Sequence, residues 1–79
     1  MIKVNVLLFA QLRDLYGKAQ LLVEIPEGSR ASQVIEALKR LNPAELPPLT
    51  FAVNCEHAEA ATFLHAGDEV ALLPPVSGG

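Results

Sequence analysis

A small α+β domain, with a mixed sheet of four to five strands wrapped on one main helix, is predicted by three features of the 79-residue sequence. Ile2 to Phe9 alternates with a period of two, as a half-buried strand does. Ala31, Val34, Ile35, Leu38 and Leu41 recur at i, i+3, i+4, i+7 and i+10, drawing one apolar stripe along a helix. After a proline-rich crossing, two short apolar runs, Phe51–Asn54 and Val70–Leu73, provide the later strands.

The elements follow in order. In the first strand Ile2, Val4, Val6 and Leu8 share the core face, while Lys3, Asn5, Leu7 and Phe9 share the other. Leu12 and Leu15 give Gln11 to Tyr16 a turn or two of helix, which Gly17 ends. Gln20 to Ile25 is a second strand, with Leu21, Val23 and Ile25 inward and Leu22 and Glu24 outward; Pro26-Glu27-Gly28-Ser29 breaks it. Ser29 is the expected N-cap of the main helix, and Asn42-Pro43 stops that helix because the residue before proline is pushed out of the α region. Residues 42–50 hold three prolines and read as a crossing loop. Asn54-Cys55-Glu56 reads as a turn, with Asn54 at positive φ. The stretch Glu59 to His65 is weakly patterned, and a short extra strand is expected about there. Ala66-Gly67-Asp68-Glu69 turns the chain into the last strand.

The order strand, strand, helix, strand, short strand, strand is that of the β-grasp architecture, whose first and last strands lie parallel and adjacent at the centre of the sheet. The helix stripe would then pack on Ile2, Val4, Val6, Leu8, Val23, Val53, Val70 and Leu72. With no repeats and no linker, residues 1–79 form one domain, with 74–79 as an extended C-terminal tail.

Composition narrows the function. At 51% hydrophobic and 19% charged residues, the chain is too apolar to stay disordered. Its longest apolar run falls far short of the roughly 20 residues of a membrane span, and its start lacks a secretory pattern. One cysteine, Cys55, cannot close an internal disulfide, which fits the cytoplasm. All six basic residues lie within the first forty positions, so that half carries +2 and the remainder −5. No basic footprint for nucleic acid is present, and the acidic half is either a docking charge for a basic partner or a solvated face. A chain this short hides only roughly 60% of its unfolded surface, which favours a carrier or small subunit over a free-standing enzyme with a deep pocket.

The most informative stretch is Leu73-Pro74-Pro75-Val76-Ser77-Gly78-Gly79. The prolines favour an extended backbone, and the six residues after Leu73 could reach roughly 20 Å at about 3.3 Å each. Gly78 and Gly79 have no side chain and can enter a channel too narrow for a Cβ, which leaves the Gly79 carboxylate as the reactive group. At a glycine frequency of about 7%, two terminal glycines arise by chance roughly 0.5% of the time. A carboxylate is a poor electrophile at neutral pH, so ATP on a partner enzyme must first convert it to an acyl-adenylate.

Three segments carry a resemblance: Phe9-Ala10-Gln11-Leu12-Arg13-Asp14-Leu15, then Ala52-Val53-Asn54, then Gly67-Asp68-Glu69-Val70-Ala71-Leu72-Leu73-Pro74-Pro75-Val76-Ser77-Gly78-Gly79. Over nearly its whole length the chain resembles the small, sulfur-carrier subunits of molybdopterin synthase, the MoaD family, whose fold is ubiquitin-like. The resemblance implies that an E1-like enzyme adenylates Gly79 with ATP, and that a sulfurtransferase or other persulfide donor converts it to a thiocarboxylate. It further implies that the tail enters the large subunit of the synthase and gives its sulfur to cyclic pyranopterin monophosphate. The assembly would be a heterotetramer, and the small subunit would bind no cofactor itself. Thiamine and tRNA thiolation carriers, which also end in Gly-Gly but tend to lack an approach like Leu72-Leu73-Pro74-Pro75-Val76, modifiers conjugated to lysine through a terminal glycine, and a plain interaction module with an inert tail remain the alternatives.

The candidate partner-binding residues are Leu7, Phe9, Arg13, Ala71, Leu73, Pro74, Pro75, Val76 and Ser77, with Gly78 and Gly79 at the reactive end. Leu7, Phe9, Ala71 and Leu73 are either an exposed docking patch at the root of the tail or local packing against Gln11–Tyr16. Arg13 either meets a partner carboxylate or is solvated. Members of the family often have phenylalanines where this chain has Leu72 and Leu73. His57 and His65 have no ligand spacing around them, so no metal site is expected.

Overall fold

Strand β1 (Ile2–Leu8) alternates as its sequence requires, with Val4, Val6 and Leu8 buried. A computed structural model describes residues 1–75. Helix α1 (Gln11–Tyr16), strand β2 (Gln20–Ile25), helix α2 (Ala31–Leu41), and strands β3 (Thr50–Val53), β4 (Glu56–Ala58) and β5 (Glu69–Leu73) follow. The strands form one sheet in the order β2-β1-β5-β3-β4. β1 and β5 are parallel and adjacent, with Leu7 opposite Ala71, and every other pairing is antiparallel. This is the β-grasp arrangement, with five strands.

The core lies between the inner face of the sheet and α2. Ala31, Val34 and Leu38 are fully buried on the helix, against Val4, Val6, Leu8, Val23, Ile25, Val70 and Leu72 from the strands. Ile2 and Val53 pack at its margin. The stripe stops one turn short of its expected end, because Leu41 is 66% exposed. Leu41 sits in the last turn, over the edge strand β2, where no further strand can cover it. Leu15 is exposed likewise; of α1, Leu12 is fully buried and Tyr16 packs against the core's margin.

Both ends of α2 differ from the sequence expectation. The N-cap is Arg30, not Ser29. Ser29 is buried, and its hydroxyl donates to the Pro26 carbonyl at 2.6 Å, closing the preceding turn instead. A guanidinium has no acceptor, so the free N–H groups of the helix find carbonyls elsewhere. Ala31 N–H donates to Thr62 O at 2.8 Å and Ser32 N–H to Ala60 O at 3.0 Å. The segment between β4 and β5 is thus the cap of α2. The short strand expected within residues 59–65 forms earlier, at Glu56–Ala58, because Asn54 and Cys55 both take positive φ (51° and 70°) and return the chain at once. At the other end the Tyr16 hydroxyl lies 3.3 Å from the Leu38 carbonyl and 3.4 Å from that of Asn42. Burial pushes that hydroxyl above its ordinary pKa, which keeps it a donor.

Ala10 has φ 49° and ψ −124°, and Leu12 N–H donates to Phe9 O across it at 3.0 Å. That is the first central position of a type II′ turn, where glycine normally sits because a Cβ is strained. Backbone strain of this kind costs about 1–3 kcal/mol, against about 0.5–1 kcal/mol of chain entropy for glycine. Ala10→Gly is therefore expected to stabilise the domain by about 1 kcal/mol, read as a thermal midpoint about 4–8 °C higher.

Candidate functional site

The period of two sends Lys3, Asn5 and Leu7 of β1 to the outer face of the sheet, and parallel pairing sets Asn5 opposite Glu69 and Leu7 opposite Ala71. Ala71 also faces Ala52 of β3, Ala52 faces His57 of β4, and Leu7 faces Gln20 of β2. The outer face is therefore crossed by one row, Gln20–Leu7–Ala71–Ala52–His57. Its centre is apolar and, with two alanines, low in relief. One step toward the tail, Leu73 faces Thr50 and is 36% exposed, and Phe9, just past β1, is 42% exposed. Leu7, Ala71 and Leu73 thus come together at the end of the sheet where the chain leaves for Pro74 and Pro75, with Phe9 beside them in sequence. A half-buried apolar row flanked by exposed Leu73 and Phe9 is what a docking face requires.

Ala52 joins the row without being a candidate from sequence. Its signal was present, since it alternates with Phe51 and Val53, but its place in the row depends on β3 pairing with β5, which periodicity does not give. Arg13 lies apart from the row, exposed on α1. Pro74 is half-buried and Pro75 exposed. Val76, Ser77, Gly78 and Gly79 lie outside the described residues. Exposed Cys55 occupies the β3–β4 turn. Among the described residues no group of three or more His, Cys, Asp or Glu side chains is placed to hold a metal ion.

The start of β5 is fixed by a polar clasp. Asp68 accepts from His65 N–H at 2.8 Å and from Asn54 Nδ2 at 3.0 Å, while Asn54 Oδ1 accepts from Glu69 N–H at 3.0 Å. Asn5 N–H donates to Asp68 O, and Gly67 N–H to Lys3 O. Asn54 is thus more than a turn residue: it ties the β3–β4 hairpin to the strand that carries the tail. Asp68 is therefore part of the frame, and of the two acidic residues at this turn Glu69 is the one that can test a docking charge.

The His65 N–H, first, and then the Asn54 amide hold the Asp68 carboxyl below its ordinary pKa, against a burial penalty. A folded-state pKa below the unfolded one gives stability that is complete above the usual carboxylate range and lost as pH falls through the lowered value. Asp68→Asn puts an amide NH2 against one of the two donors. It is expected to cost roughly 1–3 kcal/mol at neutral pH and to flatten the acid limb of a plot of thermal midpoint against pH. An unchanged acid limb would refute the assignment.

The ThiS family model matches residues 6–79. The molybdopterin synthase sulfur carrier subunit of Mycobacterium tuberculosis is 35% identical, with all of both chains covered. That of Arabidopsis thaliana is 32% identical over 99% of this chain and 84% of its own. Among solved structures, small archaeal modifier protein 1 of Haloferax volcanii superposes with a TM-score of 0.85 at 26% identity, over 96% of this chain and 100% of its own. The chain, a ubiquitin-like β-grasp domain ending in a diglycine, therefore belongs to the ThiS family, with the sulfur carrier subunits of molybdopterin synthase among its relatives.

Proposed function

We propose that this chain is the sulfur carrier of a molybdopterin synthase and works through its terminal carboxylate. The carrying observation is the placement of β5. It lies parallel to β1 at the centre of the sheet and runs out at Leu73 beside the apolar Leu7–Ala71–Ala52 row. A large subunit docked on that row, with Phe9, Leu73, Pro74 and Pro75 at its margin, receives Val76, Ser77, Gly78 and Gly79 as an extended segment. Arg13 is an outlying contact on α1.

The chemistry belongs to Gly79 and its partners. On an E1-like enzyme a carboxylate oxygen attacks the α-phosphorus of ATP and pyrophosphate leaves. A persulfide sulfur from a sulfurtransferase then attacks the acyl carbon and AMP leaves. Cleavage of the sulfur–sulfur bond by a second thiol yields the thiocarboxylate, ionised and nucleophilic at neutral pH. Its sulfur passes to cyclic pyranopterin monophosphate inside the large subunit, and two transfers build the dithiolene. A heterotetramer in the cytoplasm, with two carriers at the ends of a large-subunit dimer, suits this division of labour. The carrier's part is to dock and aim.

The test is reconstitution. The chain bearing a Gly79 thiocarboxylate, mixed with a large subunit and cyclic pyranopterin monophosphate, is expected to give dithiolene product. A complex that forms without yielding product overturns the donor role. The likeness to a small archaeal modifier protein supports a second reading, in which the Gly79 acyl group is joined to lysine amines. Isopeptide adducts carrying this chain, formed in place of the thiocarboxylate, would favour it.

A further inference from the structure

The two edges of the sheet are unequal. β4 is three residues long and carries Glu56 and His57, the short polar form that discourages pairing. β2 is six residues long, with the sequence Gln20-Leu21-Leu22-Val23-Glu24-Ile25, and has neither proline nor lysine within it. Leu22, on its outer face, is 67% exposed. Along the same strand, exposed Leu41 and buried Ala37 line a shallow groove with Leu22, Val23, Glu24 and Arg40.

The direction of the backbone groups follows from one bond. Leu8 N–H donates to Ala19 O at 2.8 Å, and the antiparallel register continues as Leu7 opposite Gln20. Ala19, Leu21, Val23 and Ile25 therefore bond to β1, while the N–H and C=O groups of Gln20, Leu22 and Glu24 point to the open edge.

We propose that the β2 edge pairs with the same edge of a second copy, antiparallel about a two-fold axis at Leu22, so that the two sheets become one. The edge is self-complementary, as an isologous contact must be. Leu22 meets Leu22 of the other copy, Gln20 meets Glu24, and on the inner face Leu21 meets Val23. Lys18 falls diagonally beside the other copy's Glu24, within reach of a long side chain. The one ion pair among the described residues is His65–Asp68, so Lys18, Glu24 and Arg40 are available for contacts across the axis. About six main-chain hydrogen bonds form, and Pro26 ends the ladder because it has no N–H. With β1 between β2 and β5, the strand that carries the tail remains outside the contact.

The test measures sedimentation and amide hydrogen exchange of the full chain from micromolar to millimolar concentration. The expected result is a mass rising from 8.5 kDa toward twice that. With it, protection should grow at the Gln20, Leu22 and Glu24 amides and stay unchanged at Leu21, Val23 and Ile25. Leu22→Asp, at an exposed position that the fold does not need, should weaken association at least about tenfold. Glu24→Lys should weaken it, and adding Lys18→Glu should restore it. A mass of 8.5 kDa at millimolar concentration overturns the proposal. So does association that leaves the three amides unprotected or that survives Leu22→Asp.

Discussion

Deleting Gly79 is expected to abolish sulfur delivery while the thermal midpoint of the domain stays where it was. The two halves of that outcome have different causes. Among the described residues the last strand ends at Leu73 and no buried core side chain follows Leu72, so removing residue 79 takes nothing from that core. The proposed chemistry has everything to lose, since in it the electrophile and later the sulfur are carried on the terminal carbon. Deletion leaves a carboxylate on Gly78, one residue short. At about 3.3 Å per residue that misplaces the reacting atom by several times the ~1 Å error that already costs about 100-fold. Gly78→Val separates reach from width: the chain keeps its length and its terminal glycine, but a branched side chain must pass wherever the tail does. The expected loss is about 100-fold in transfer of a preformed thiocarboxylate, with docking through Leu7 and Ala71 retained. Single-turnover assays beside a binding measurement read both. Full transfer by the valine variant would show that the tail is not threaded through a narrow passage.

The contrast between tail and domain also explains what the sequence made legible. Alternation in β1 and β2 gave the correct inward and outward residues, because a strand with one face in a core can tolerate no slip of register. The β1–β5 adjacency came from the order of elements, and with it the meeting of Leu7 and Ala71. Three things were hidden. Leu41 continues the helical stripe perfectly in sequence, yet its burial depends on whether a strand lies beneath the last turn, and β2 is the edge. Ser29 is a good N-cap by type, but it was already engaged with Pro26, and the free N–H groups of α2 were met by Thr62 and Ala60, thirty residues away in the chain. The Asn54–Asp68 clasp joins two polar residues in separate turns, and no local pattern reports a contact across that distance.

Leu38→Ala and Leu41→Ala, three positions apart on one helix, are expected to differ by several kcal/mol. Leu38 is fully buried between the sheet and α2, so truncation removes its transfer free energy and leaves a cavity; the cost is about 2–5 kcal/mol. For a chain of this length, stability at about 0.05–0.15 kcal/mol per residue is roughly 4–12 kcal/mol in all. The substitution therefore removes a large share, and at about 4–8 °C per kcal/mol the thermal midpoint falls by at least about 8 °C. Leu41→Ala deletes the same atoms from a side chain already in solvent, and its effect should stay within about 0.5 kcal/mol. Denaturant midpoints of the two variants decide the matter. Equal losses would mean that α2 lies on the sheet with a different face from the one described, and that the strands carrying Leu7 and Ala71 are held by other contacts.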